Sequence, residues 1–479
     1  MRSGWRIEGQ TKESFVKGAL DQTSPSPSPL RRGGKMCGLY FLLSSAIISL
    51  TMLYQLTQLK NKANVILVPQ AEAQSVTVLV MFPVGSRYET EKLSGASHFI
   101  EHMMFKGTKK RPSTLILTRE IDRLGADYNA FTEKEFTGYY IKANKDYIET
   151  ILDILADMLN NSLFDAEEIQ REKTVIVEEL RMYRDNPLMN IGNIFEGLMY
   201  QDCPLGWDIG GTDKTVMCIK RQDMLAYRDK YYRPDNMTIV VAGNLDKEIE
   251  ERLNRNFDRK LNTSARLSAG YNLTEIKNKF LPAKFGSLAG GKSLRVEQKK
   301  TDQAQLMFGF PGLDHNSKHN PALGVLNTIL GGSMSSRLFI KIRERLGLAY
   351  MVRSGADSYR DTGYFYIRAG LDAKNIKRAI SVSKQEMEKI LEKGVTDREL
   401  KDAKTHIRGG LALAMEDSSA QASWYAKEIL FHDKIKTPEE RLLEIQAVTN
   451  DAIKIVAGKL FDFKKMRVAI IGEVNKFSL

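Results

Sequence analysis

His98, Glu101 and His102 stand in the order His-x-x-Glu-His within SGASHFIEHMMFKGT, Ser94 to Thr108. On a helix, residues four apart project from one face a single turn apart. The spacing therefore brings two imidazoles together, and zinc accepts imidazole nitrogens in tetrahedral geometry. Glu101 lies on the same face beside a ligand. A carboxylate there can take the proton of an attacking water without capturing the metal itself. The order inverts the commoner His-Glu-x-x-His helix of zinc peptidases. The other histidines carry less: His315 and His319 are also four apart, but in DHNSKHN with no glutamate between them. That pair reads as a turn and a solvated helix start, and His406 and His432 as surface or packing residues.

Two histidines leave a catalytic zinc one protein ligand short. The segment FDAEEIQREKTVIVEELRMYRDN supplies Glu172 and Glu179, seven apart and so two turns along one helical face. Residue type and spacing do not choose between them.

The elements that must hold these groups are written twice. QSVTVLVMFPVGS (Gln74 to Ser86) and QAQLMFGFPG (Gln303 to Gly312) are matching strands, as are TGYYIKA (Thr137 to Ala143) and TGYFYIRAG (Thr362 to Gly370). A long segment of helical period follows each second strand. Next comes a helix start with a predicted capping box, Asp165-x-x-Glu168 or Thr396-x-x-Glu399. MTIVVAG (Met237 to Gly243) and MRVAIIG (Met466 to Gly472) close the halves as buried strands. This grammar predicts an α+β protein of two homologous domains from a tandem duplication, each a mostly antiparallel sheet covered by helices. The expected division is a catalytic domain over 53–261, a Gly/Ser/Lys/Asn-rich linker over 262–292 and a second domain over 293–479.

HFIEHMMFKGT, followed 77 residues after its second histidine by Glu179 in REKTVIVEEL, resembles the pitrilysin family of inverted-motif zinc peptidases. That family includes insulin-degrading enzyme and the mitochondrial processing peptidase, whose beta subunit is the kind of short two-domain member the chain is similar to. The resemblance implies one Zn2+ per chain on His98, His102 and Glu179. It makes Glu101 the general base and Glu172 the carboxylate that orients a ligating histidine. It also implies that GADYNAFTEKEFTGYY (Gly125 to Tyr140) is an edge strand receiving the peptide by added β-pairing, with Asn129 and Ala130 at the contact. Arg343 and Tyr350 match residues that reach the active site and steady the tetrahedral intermediate. Because the second half has no His-x-x-Glu-His, the family pattern implies a homodimer, or a heterodimer with a related chain, in which these two serve the partner's site. The sequence departs from the family at Ser97 and in CPLGWDIGG (Cys203 to Gly211), which bears on substrate preference. The competing expectation is a catalytically silent partner subunit, which usually lacks one or more of the metal residues retained here.

Composition narrows the rest. The formal charge is +12, but basic residues alternate with acids, as in KEIEERLNR, and read as solvated helix faces and not a nucleic-acid stripe. Three scattered cysteines, Cys37, Cys203 and Cys218, form neither a disulfide framework nor a thiolate site. Residues 1–36 hold Ser-Pro repeats and a basic cluster, for which no packed structure is expected. The uncharged stretch from Cys37 to Tyr54 could be an anchor or export signal, and membrane contact is expected only in that case. A helix ending by Met52 reaches roughly 24 Å, short of a hydrocarbon core of about 30 Å. The expectation is therefore a cytoplasmic enzyme, with 1–52 as an extension outside the fold.

Overall fold

The computed structural model describes residues 54–201, 203–257, 293–474 and 477. The extension 1–52, the linker 262–292 and all but Tyr54 of the apolar stretch lie outside them. Among the described residues, no helix is long and apolar enough to cross a membrane.

Two sheets organise the chain. The first contains β1 (Gln55–Gln58), β2 (Asn64–Pro69), β3 (Ser75–Phe82), β4 (Asp127–Thr132), β5 (Thr137–Asn144) and β6 (Thr238–Gly243), in the order β1-β2-β6-β3-β5-β4. The second contains β7 (Leu294–Glu297), β8 (Ala304–Pro311), β9 (Ala349–Ser358), β10 (Gly363–Leu371) and β11 (Arg467–Ile471), in the order β7-β11-β8-β10-β9. Each has one parallel pair, β2 with β6 and β7 with β11, and is otherwise antiparallel. The five-strand orders superimpose, so the repeated segments hold the same places in two homologous α+β domains. Gly243 and Gly472 mark the duplication in the backbone. Both have positive φ (132° and 154°), and a Cβ on either would strike the start of the neighbouring strand, at Ser75 O (2.3 Å) or Ala304 Cβ (2.8 Å).

Alternation within the strands gives each sheet two faces. Val76, Val78, Val80 and Phe82 of β3 pack under α1 (Ala96–Met104) and α2 (Ile148–Asn161), through Phe99, Ile100, Ile151 and Leu155. In the second sheet Leu306, Phe308 and Phe310 do the same against the Asn320–Leu330 and Ile376–Lys393 helices.

After α2 come α3 (Ala166–Asp185) and α4 (Pro187–Met199). Asp165 caps α3 by accepting from the Glu167 and Glu168 N–H groups, but the predicted capping box is absent there. Glu168 turns outward to Arg171 instead, because an exposed guanidinium three residues on is the stronger partner. The box at Thr396 and Glu399 is present and starts the helix Asp397–Ala414.

The opposite faces of the sheets are covered by exchange. From the first half, α4 sets Ile191, Ile194, Phe195 and Met199 against Met307, Ala469 and Ile471 of the second sheet. From the second half, the helix Ser418–Phe431 sets Ala422, Tyr425 and Ala426 against Ile66, Leu79, Met81 and Val240 of the first sheet. Each large buried side chain contributes about 1.5–3 kcal/mol. The halves thus share a core as well as a boundary.

His315 departs from its expected solvated turn. Its ring stacks on Phe431 (centroids 4.2 Å apart) and its Nε2 lies 3.7 Å from Glu135 Oε2, since the turn is pinned against the end of the exchanged helix. His432 hydrogen-bonds Asn316 at 3.1 Å, and His406 is exposed.

Candidate metal centre

α1 places both histidines of the inverted motif. Gly95 precedes it with φ +95°, and the Glu89 carboxylate accepts from the Gly95 and Ser97 N–H groups at 2.7 Å each, so a buried acid ties down the free amides of the first turn. Burial raises Glu89 to about 7, against the lowering effect of those hydrogen bonds. Ser97, the departure from the family pattern, contacts the Tyr227 hydroxyl at 3.0 Å and lies away from the ligand atoms.

The His98 and His102 rings meet edge-on, 4.5 Å between centroids, with their Nε2 atoms 3.1 Å apart. α3 runs alongside and offers Glu179, whose Oε2 is 3.4 Å from His102 Nε2 and 3.8 Å from His98 Nε2. One donor atom from each of the three lies within 4.8 Å of the other two. Two turns earlier on the same face, Glu172 Oε1 is 2.8 Å from His102 Nδ1 and its Oε2 is 2.7 Å from Lys106 Nζ. Of the two glutamates left open by spacing, the geometry puts Glu179 at the convergence and Glu172 behind His102.

The hydrogen bonds test whether a metal ion fits. A carboxylate held low by His102 and Lys106, against its burial, only accepts. His102 Nδ1 therefore carries the proton toward Glu172, and in the neutral ring the Nε2 lone pair faces His98 and Glu179. Burial pushes His98 down to about 4, so its ring is neutral. Burial also opposes charge on His102, yet its hydrogen bonds to Glu172 and Glu179 outweigh that and raise it to about 9. Two imidazoles and a carboxylate thus converge on a point that calls for a cation, either a proton or a metal. Two nitrogens and one oxygen are a donor set used by catalytic zinc. The residues fit zinc.

Glu101 points to the neighbouring strand, where Thr132 Oγ1 donates to its Oε2 at 2.5 Å. Burial raises its carboxyl to about 7, partly offset by His102 and Thr132. No periodic or motif signal in the sequence marks Thr132 or Glu89. The same holds for Tyr183, one turn beyond Glu179, whose phenol is pushed up by burial and by Glu179, Asp208 and Glu101.

Asn129 and Ala130 lie in β4, the outer strand of its sheet, which among the described residues pairs with β5 alone. Asn129 Oδ1 accepts from the Ala130 N–H at 2.9 Å. Arg343 and Tyr350 are not brought to the cluster. Arg343, in the π-helical turn Phe339–Arg345, lies over the rings of Phe339 (4.7 Å) and Tyr350 (5.2 Å) with Glu344 at 3.6 Å. Tyr350 is 72 % exposed.

Residues 64–212 match the family model "Insulinase (Peptidase family M16)", and residues 219–407 match "Peptidase M16 inactive domain". An uncharacterized zinc protease of Bacillus subtilis is 34 % identical over 402 residues, 84 % of this chain and 94 % of that protein. The chain belongs to peptidase family M16. An uncharacterized zinc protease of Rickettsia felis is 36 % identical over 409 residues, covering 85 % of this chain and 95 % of its own. The crystal structure of a protease from Helicobacter pylori covers 88 % of this chain and 99 % of its own with a TM-score of 0.78; at 21 % identity it speaks to the M16 fold alone. The name of the second matched domain agrees with the duplication. Counted from the N-caps Asp165 and Thr396, the positions of Glu172 and Glu179 correspond to Ala403 and Gly410, which have no ligand atoms.

Proposed function

We propose that this M16 chain is a zinc-dependent endopeptidase acting on peptides or presequences, with one ion held by His98, His102 and Glu179. The convergence of two imidazoles and a carboxylate beside a separate buried glutamate carries this reading. When bound, zinc would supply Lewis-acid polarisation of the water and of the scissile carbonyl. Glu101 accepts the proton of the attacking water and gives it to the leaving amine. Glu172 holds the His102 ring through Nδ1 and fixes its tautomer. The outer edge of β4 receives an extended peptide by backbone pairing, with Asn129 and Ala130 beneath it.

Arg343 and Tyr350 belong to this proposal as groups offered to another subunit. Their stacking on each other and the outward exposure of Tyr350 support a dimer in which they complete the partner's site.

Cleavage of a peptide library by the purified protein tests the reading. Activity should fall to background, by more than about 10²-fold, with a zinc chelator and return with stoichiometric zinc. Cleavage that is indifferent to chelation would contradict it.

A further inference from the structure

Thr132 is the last residue of β4, opposite Thr137 of β5, and its hydroxyl and the Glu101 carboxylate are both buried. The turn that follows is clamped. Glu133 N–H donates to Phe136 O (2.8 Å), while Ser86 N–H and Arg87 N–H donate to Glu133 O (3.2 Å) and Lys134 O (2.8 Å). Gly85 permits this approach, because a Cβ there would lie 1.9 Å from Glu133 O. The Arg87 guanidinium pairs with Glu135 and with Asp361 of the second half, each at 2.6 Å, and Glu135 also accepts from the Arg360 N–H at 3.1 and 3.2 Å. Strand pairing on one side and this clamp on the other leave the Thr132 hydroxyl little freedom.

We infer that Thr132 is a positioning residue for Glu101: it engages one carboxylate oxygen, sets the rotation of the group and leaves only the other oxygen for water. A carboxylate on two methylenes could otherwise rotate or swing toward His102. A single donor on a rigid element removes that freedom before substrate arrives. The same strand offers the proposed peptide edge, so substrate and base are registered by one element. The inference rests on reading Glu101 as the base.

The test compares Thr132→Val, which keeps shape and removes the donor, with Thr132→Ser, which keeps the donor. A hydrogen bond to a charged group is worth about 1.5–3 kcal/mol, which converts to about 10–100-fold in rate. Thr132→Val should therefore lower kcat by about 10–100-fold with KM and zinc content unchanged, and Thr132→Ser should stay within about threefold of wild type. Crystal structures of the zinc-loaded proteins should show the Glu101 carboxylate rotated in the valine variant and in its original place in the serine variant. The inference is overturned if Thr132→Val keeps wild-type kcat, if Thr132→Ser is equally impaired, or if Glu101 does not move in the valine variant. Should the wild-type protein show no chelator-sensitive cleavage, the peptidase reading fails, and the position of Glu101 in the two variants still decides the role of Thr132.

Discussion

Glu101→Gln is expected to retain about one zinc per chain while losing about 10²–10⁴-fold in kcat/KM, the range that a positioned general base supplies. The two effects separate because Glu101 is outside the donor set: its Oε2 is held by Thr132, while the converging atoms come from His98, His102 and Glu179. Glutamine keeps the size of the side chain and an oxygen for the Thr132 hydroxyl, so the fold has no reason to move. What it lacks is an acceptor for the proton. Metal analysis together with steady-state kinetics checks this, and undiminished turnover in the glutamine variant would remove Glu101 from the mechanism. His102→Ala should instead lose zinc and activity together, since it removes a donor atom and strands Glu172, a buried carboxylate left with Lys106 as its partner.

Arg87→Met should have the largest effect on stability, lowering the unfolding free energy by about 3–5 kcal/mol. Arg87 and Glu135 are fully buried side chains 2.6 Å apart, and desolvation makes a lone charge there costly. Removing the guanidinium leaves Glu135 with Arg360 and His315 but without its direct 2.6 Å ion pair. Asp361, 27 % exposed, can turn to water and should matter less. The double variant Arg87→Met/Glu135→Met should recover much of the loss, because it removes both charges from the interior. Urea unfolding of the single and double variants measures this; a single variant within 1 kcal/mol of wild type, a margin typical of exposed pairs, would show that the pair is not the clamp the geometry suggests.

The sequence makes the duplication legible because strand alternation and closing glycines are local signals that survive in both copies. The helix that carries the two histidines is legible for the same reason, since His98 and His102 lie within one turn. The choice of Glu179 over Glu172 needed either the family pattern or the structure, because helical spacing puts both on one face. The exchange of α4 and the Ser418–Phe431 helix left no trace in the sequence. α4 is an amphipathic helix of ordinary composition and Ser418–Phe431 is only weakly amphipathic, and nothing in either pattern says which sheet it covers. Thr132, Glu89 and the Arg87–Glu135 pair were missed because each works through a partner that is distant in sequence or across a turn, with no periodicity to mark it. The setting of His315 is hidden for the same reason: a polar turn looks solvated until Phe431, more than a hundred residues later, is placed against it.

Crystals of the protein as purified, measured with X-rays at the zinc absorption edge, give the most direct result. One strong anomalous peak is expected per chain, within bonding distance of the Nε2 atoms of His98 and His102 and a carboxylate oxygen of Glu179, with Glu101 close by but not bonded to it. A zinc-supplemented crystal with no peak at that point, or with Glu179 turned away from the two imidazoles, would contradict the metal centre and the hydrolase built on it.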